Sequence, residues 1–270
     1  MRHGRDVPAF GALIGPGDPA PRVLPGQSPA VLAIHGFGGT PVEVDLVVEV
    51  AKACGLAARA PLLAGHGRIA SELAKTRFSD WQASAEAALA ALLEEHAHVV
   101  LVGLSLGSLL ATQLCLDHPG QVRGLALLAN AFWLREPFPA HALAAYARFP
   151  LPDVHLPKAA ADIQDPEARA THLTLSAQPA RAASEVWRHG RRLRRRLGEV
   201  SCPVYLAHGE LDRVCPFSNL ARAAARIGSR ELVERACERS GHIVTRDYDA
   251  PLVRDDLRGF FGGVRADLLR

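Results

Sequence analysis

The stretch Val99–Ser108, VVLVGLSLGS, decides the fold. An apolar run with strand character ends at Gly103-Leu104-Ser105-Leu106-Gly107. A helical pattern begins at once, with Leu106, Leu109, Leu110 and Leu114 on one face and a stop at His118-Pro119-Gly120. In a G-x-S-x-G setting, a strand, sharp turn and helix push the central residue into a strained backbone conformation, and small flanking residues let strand and helix approach. Ser105 is therefore expected to stand exposed above a sheet, facing a helix N-terminus and its positive dipole.

Upstream, Ala30–Ile34 reads as a buried strand running into His35-Gly36-Phe37-Gly38-Gly39-Thr40-Pro41. A dinucleotide loop would need glycine where Pro41 stands, and no acidic residue follows the next strand near Arg59, so nucleotide binding is excluded. Thr40-Pro41-Val42-Glu43 predicts a capping box opening a helix to Cys54, and Ser79-Asp80-Trp81-Gln82 predicts a second one. Between them, a short strand at 57–60 leads to a glycine-rich loop whose His66 is read as tying backbone together. Downstream, Val122–Ala129 is another apolar strand. The alternation implies an α/β fold with a mostly parallel, doubly wound sheet and functional loops at the strand C-terminal ends.

The rhythm breaks between Asn130 and about Val200, a span far longer than the ~10–15 residues of a crossover helix. The expected organisation is an N-terminal arm at 1–29, a core at 30–130 and 201–270, and a helical cap inserted at 131–200. Phe132, Trp133 and Phe138, which directly follow a strand, are expected to line a substrate pocket. A helical run from Val186 to Leu197 would turn Val186, Trp187, Gly190, Leu193 and Leu197 inward and leave six arginines on a solvated back. After it, Cys202–Ala207 is a strand ending at His208-Gly209-Glu210-Leu211-Asp212, and Glu231–Cys237 is a last strand before Ser240-Gly241-His242. Leu252, Val253, Leu257, Phe260 and Phe261 make a closing amphipathic helix.

The chain of 270 residues is 49% hydrophobic with a formal charge of +3, and no basic stripe interleaved with aromatics suggests a nucleic-acid partner. No apolar run approaches the length of a membrane span and MRHGRDVPAF lacks a signal-like stretch, so a cytoplasmic protein without stable membrane insertion is expected. The five cysteines are scattered without C-x-x-C spacing, which reads as reduced thiols, with neither a metal site nor a cofactor expected. Oligomeric state is left open.

A serine hydroxyl is a poor nucleophile at neutral pH; it needs a base within hydrogen-bond reach and a carboxylate to fix that base's tautomer. Ser105, Asp212 and His242 each follow a strand, which brings them to one sheet edge in the order this architecture uses. Glu210 is a weaker competitor for the acid. Val214 and Ile243, beside the acid and the base, are further candidates for the pocket wall.

With HGFGGTP, PLLAGHG, DW, GLSLGS, HGELDRVCP and SGHIVTRD in order, the chain resembles bacterial serine carboxylesterases of the α/β-hydrolase fold, in the branch similar to monoacylglycerol lipases. The resemblance covers residues 30–130 and 201–262. It implies Ser105 as nucleophile, Asp212 and His242 as its partners, an oxyanion hole from the N–H groups of Phe37 and Leu106, and a small-molecule ester substrate; a capped pocket of ordinary volume over Ser105 would limit that ester to a short to medium acyl chain. One departure is Ser108, where many relatives carry a further glycine. Thioesterase, amidase and C–C bond hydrolase chemistry use the same parts, and a silent ligand-binding relative would keep the pocket.

Overall fold

Seven strands that are buried on both faces, apart from those at the two edges, build the sheet: β1 (Arg22–Leu24), β2 (Gln27–Ile34), β3 (Leu56–Ala60), β4 (Val99–Leu104), β5 (Val122–Leu128), β6 (Val204–Gly209) and β7 (Leu232–Cys237). In the computed structural model, which describes residues 11–135, 144–146, 148–149, 152–158 and 160–269, their order is β7-β6-β5-β4-β2-β3-β1. All pair in parallel except β1, which runs antiparallel to β3. The strand leading to Ser105 is thus central, with β2 on one side and β5 on the other.

Successive side chains of a strand point to opposite faces, so the continuous apolar runs divide into two cores. Leu32, Ile34, Leu101, Leu125 and Leu127 pack with Trp81 and Leu89 of α2 (Phe78–Leu93) and Leu109 and Leu110 of α3 (Leu106–Asp117). On the other face, Val31, Ala33, Val100, Val102 and Leu128 pack with Val47 and Val50 of α1 (Asp45–Ala53) and with the C-terminal helix, α6 (Ala250–Leu268). The latter buries Val253, Leu257, Phe261 and Val264, while Leu252 is exposed.

Between β5 and β6 the chain leaves the sheet and lies across its C-terminal edge. Its longest element among the described residues is α4 (Ala180–Leu193), which packs on α2 and α3 and approaches so closely that a Cβ on Gly190 would sit 2.7 Å from the carbonyl oxygen of Ala131. The N-terminal stretch also reaches this segment, since Leu13–Ile14 pairs antiparallel with Thr174–Leu175. A short helix, α5 (Asn219–Ala224), follows β6. Among the described residues, no helix is long and apolar enough to cross a membrane.

Several local expectations are corrected. Pro41–Val44 is a 3-10 turn, the α-helix starts at Asp45, and the Thr40 hydroxyl makes no cap bond, since the Glu43 N–H donates to the Thr40 carbonyl oxygen at 3.0 Å. Helix α2 begins at Phe78 with Arg77 as its cap residue, so the acceptor three residues on is Asp80, whose carboxylate takes the Arg77 N–H at 2.8 Å. Strand β6 continues through His208 and Gly209. Helix α4 starts six residues before Val186 and ends before Leu197. Trp187, one position from Val186 and hence ~100° around the helix, lies on the arginine side with Arg191 over its ring at 4.9 Å.

Candidate active site

Ser105 occupies the turn between β4 and α3 with φ 55° and ψ −116°, in the left-handed half of backbone space that non-glycine residues rarely enter. The turn is held by Ser105 N–H donating to Leu128 O at 2.9 Å. It also requires glycine on both sides, since a Cβ on Gly107 would overlap the carbonyl oxygen of Ile34, and one on Gly103 that of Gly107. Ser108 earns its hydroxyl here: it donates to Ser105 O at 2.6 Å and accepts the Ala131 N–H at 3.2 Å, linking the turn to the first residues beyond β5. Contrary to the expected exposure, Ser105 is buried, because the segment between β5 and β6 roofs it.

The structure brings the three expected residues together. Ser105 Oγ lies 2.8 Å from His242 Nε2, and His242 Nδ1 lies 2.7 Å from Asp212 Oδ2. The carboxylate fixes the tautomer, placing the ring proton on Nδ1 and leaving Nε2 to accept from the serine. Asp212 is anchored through Oδ1, which accepts the N–H groups of Val214 at 2.7 Å and Cys215 at 2.8 Å. Burial opposes its ionisation, but the His242 charge and hydrogen bonds from His208 and His242 outweigh that and hold the carboxyl below the ordinary range. For His242 the balance is similar: burial pushes its proton affinity down, and Asp212 more than restores it, so the imidazole sits above its usual pKa. Glu210 is exposed and takes no part.

Three supporting residues have no role assigned from the sequence. His208, fully buried as the penultimate residue of β6, places Nε2 3.1 Å from the same Asp212 oxygen that faces His242. Asp162 accepts the N–H groups of Arg213 at 2.7 Å and His242 at 3.2 Å, clamping the acid loop to the base loop. Asp247 accepts Gly241, Gln164 and Asp165 N–H groups and fastens the same loop from below. His208 and Asp247 stand inside the HGELDRVCP and SGHIVTRD motifs, which mark them without saying what they hold; Asp162 is recognisable only once distant loops meet.

Glu43, expected as a capping-box residue, instead accepts the Gly36 N–H at 2.8 Å and lies 3.3 Å from His172 Nε2. Burial works against its charge, yet His172, His35 and Lys158 together pull its pKa down to about 2. This ionised carboxylate fixes the loop carrying the Phe37 N–H. Neither that N–H nor the Leu106 N–H, the first of α3, donates to an acceptor among the described residues, so both are free to hold an anion. His66 behaves as expected of a structural residue: its Nδ1 lies 3.0 Å from Ala64 O, and burial lowers its pKa to about 3, so it is neutral at pH 7.

Above Ser105 opens a cavity of about 230 Å³. Phe37, Leu134, Ala183, Val186, Val214 and Ile243 form its apolar wall, and Glu43, Lys158 and Gln178 contribute polar groups. Of the residues expected at the pocket wall, Val214 and Ile243 line this cavity. Phe132 and Trp133 are not part of the lining. Asn219 Nδ2 captures the carbonyl oxygens of Asn130 and Trp133, each at 2.8 Å, which turns the chain so that Phe132 enters the core and Trp133 lies under Arg222, 4.0 Å from its ring. Leu134 takes the wall position instead. Phe138 lies outside the described residues. The grouping of metal-capable ligand atoms among the described residues, Asp212, Cys215 and His242 within 4.8 Å, is the hydrogen-bonded pair itself plus a buried thiol.

The family model described as serine aminopeptidase, S33 matches residues 27–249. A thermostable monoacylglycerol lipase of Bacillus sp. (strain H-257) is 27% identical over 231 residues, 86% of this chain and 89% of that protein. Among solved structures, one reported for the metagenome-derived lipolytic enzymes LipS and LipT superposes with a TM-score of 0.84 at 28% identity, covering 91% of this chain and 98% of the other. The monoacylglycerol lipase of Paleococcus ferrophilus has the same fold, with a TM-score of 0.76 at 15% identity over 90% of this chain and 98% of that one.

Proposed function

Because the chain belongs to the serine aminopeptidase, S33 family and is a serine hydrolase of α/β-hydrolase fold, we propose that it cleaves carboxylic esters of short to medium acyl chain, monoacylglycerols among them, through an acyl-enzyme on Ser105. The observation that carries this reading is the unbroken hydrogen-bonded chain Ser105–His242–Asp212 at the floor of a mainly apolar cavity. His242 Nε2 takes the serine proton as Oγ attacks the ester carbonyl. The tetrahedral oxyanion is held by the free N–H groups of Phe37 and Leu106, with the α3 dipole behind them. His242 then returns the proton to the leaving alkoxide, and water repeats the sequence in reverse to release the acid. The apolar wall takes the acyl chain, while Lys158, whose Nζ donates to Thr174 Oγ1 at 2.9 Å, and Gln178 offer hydrogen bonds to a hydroxylated leaving group. The lipolytic character of the relatives above supports the same substrate class.

An aminopeptidase would have to hold a free α-ammonium near Ser105. The carboxylates at the cavity, Glu43 and Asp162, are already committed to backbone N–H groups, and Arg135, Lys158 and Arg213 outnumber them. That balance favours a neutral ester. The test is a panel of p-nitrophenyl esters from C2 to C16 beside a monoacylglycerol and an amino-acid anilide, with fluorophosphonate labelling of the native protein. Ester turnover and labelling should dominate, and Ser105→Ala should abolish both, with a loss on the order of 10⁴-fold or more. Faster anilide turnover, or activity of Ser105→Ala within tenfold of the native protein, would overturn the reading.

A further inference from the structure

Two thiols face each other at the end of α3 remote from Ser105. Cys115 sits in the last turn of that helix and Cys202 in the approach to β6, and their Sγ atoms are 3.6 Å apart. One S–H therefore donates to the other sulfur. Both line a small surface cavity of about 180 Å³ together with Pro119, Val122, Glu199 and Ser201. Cys115 is buried and Cys202 half-buried, so a small solute entering this cavity meets Cys202 first. Closing the separation to the ~2.05 Å of a disulfide is a motion of the size that side-chain rotation supplies. The other three cysteines, Cys54, Cys215 and Cys237, have no sulfur within bonding reach among the described residues.

We propose that Cys115 and Cys202 form an oxidation site at which a hydroperoxide closes a disulfide. The two thiols are not equivalent. The hydrogen bond from Cys115 favours the Cys202 thiolate, and the Arg123 charge adds to it against the cost of burial, while the same contact pushes Cys115 up. Cys202 is accordingly the attacking sulfur. Its thiolate forms an S–O bond to the terminal oxygen of the hydroperoxide as the O–O bond breaks, and the alkoxide or hydroxide leaves with a proton from solvent. Cys115, as its thiolate, then attacks the sulfenic sulfur; the S–S bond forms, the S–O bond breaks, and hydroxide leaves as water. Two thiols are oxidised and one peroxide is reduced to an alcohol and water. The bond would join the nucleophile helix to the strand that ends at the Asp212 loop.

The full-length folded protein is exposed to graded hydrogen peroxide, then denatured and alkylated with iodoacetamide so that every remaining thiol reacts, and digested for mass spectrometry. The expected product is a Cys115–Cys202 cross-linked peptide pair, about 2 Da lighter than the two thiol peptides and reversed by dithiothreitol, with Cys54, Cys215 and Cys237 alkylated. In Cys115→Ser, Cys202 should instead accumulate as a sulfenic acid that dimedone captures, and in Cys202→Ser, Cys115 should remain alkylatable at the same dose. Oxidation of Cys54 or Cys215 ahead of the pair, or passage of Cys202 in the native protein to sulfinic acid without a cross-link, would overturn the proposal. The native protein alone decides the cross-link, so a poorly folding variant leaves the proposal falsifiable.

Discussion

His242 acts as a base only when neutral, and Asp212 keeps its proton affinity above the ordinary value despite burial. The acid limb of kcat/KM should therefore lie above the ~6.5 of a free imidazole, falling about tenfold per pH unit below it. Asp212→Asn removes the charge that raises it, so the limb should move to lower pH while the rate drops by several orders of magnitude; an unmoved limb would assign the titration to another group. Stability runs the other way. A raised histidine stabilises the fold fully below ~6.5 and loses that contribution as pH rises through the folded value, so the pH that activates the base also removes this support. The depressed carboxylates act at the other end. The contribution of Glu43 is present above its ordinary ~4.5 and disappears as pH falls toward about 2. His66, depressed to about 3, adds to acid instability, because the unfolded chain binds its proton already below ~6.5.

At the level of elements, the approach of α3 to β2 makes the nucleophile turn possible. A Cβ on Gly107 would meet backbone rather than a flexible side chain, so the strain has no rotamer to relieve it. Gly107→Ala should lower the urea midpoint by the equivalent of about 1–3 kcal/mol or prevent folding, whereas Gly120→Ala, with open space around it, should fall within ~0.5 kcal/mol of the native protein. Equal stabilities would mean that the helix can back away from the sheet at no cost. This strand-turn-helix unit was legible in the sequence because its determinants lie within ten residues of one another. The same holds for the three strand ends that carry Ser105, Asp212 and His242, since parallel pairing brings strand ends to one edge whatever lies between. Glu43 is the opposite case. Its spacing from Thr40 fits a cap, but its partners lie seven residues back at Gly36 and far along the chain at His172. Phe132 and Trp133 follow a strand end as expected, yet their directions are set by Asn219, which the sequence separates from them by more than eighty residues.

Across the whole molecule, the cavity exists only because the segment between β5 and β6 lies over the sheet edge, and we propose that this segment acts as the cap that selects acyl length. Helix α4 supplies Ala183 and Val186, one turn apart, opposite Val214 and Ile243 from the loops that carry the acid and the base. Each methylene buried between them is worth up to ~0.8 kcal/mol, about fourfold in kcat/KM. Activity should rise from C2 and fall once the cavity is full, between about C4 and C10 for an enclosed volume at the small end of ligand sites. Val186→Phe should move the optimum to shorter chains and Val186→Ala to longer ones, with C2 turnover changing least because its acyl group ends before reaching the helix. Trp133→Ala should leave the profile in place, since that ring lies beneath Arg222 and away from the cavity, and should register as lost stability. The ratio of C8 to C2 kcat/KM across these three variants is the measurement. If Val186→Phe lowered both esters equally, or if Trp133→Ala moved the optimum as far as the Val186 changes do, the acyl chain would follow another route out of the site and α4 would be a support for the catalytic loops rather than the end wall of the pocket.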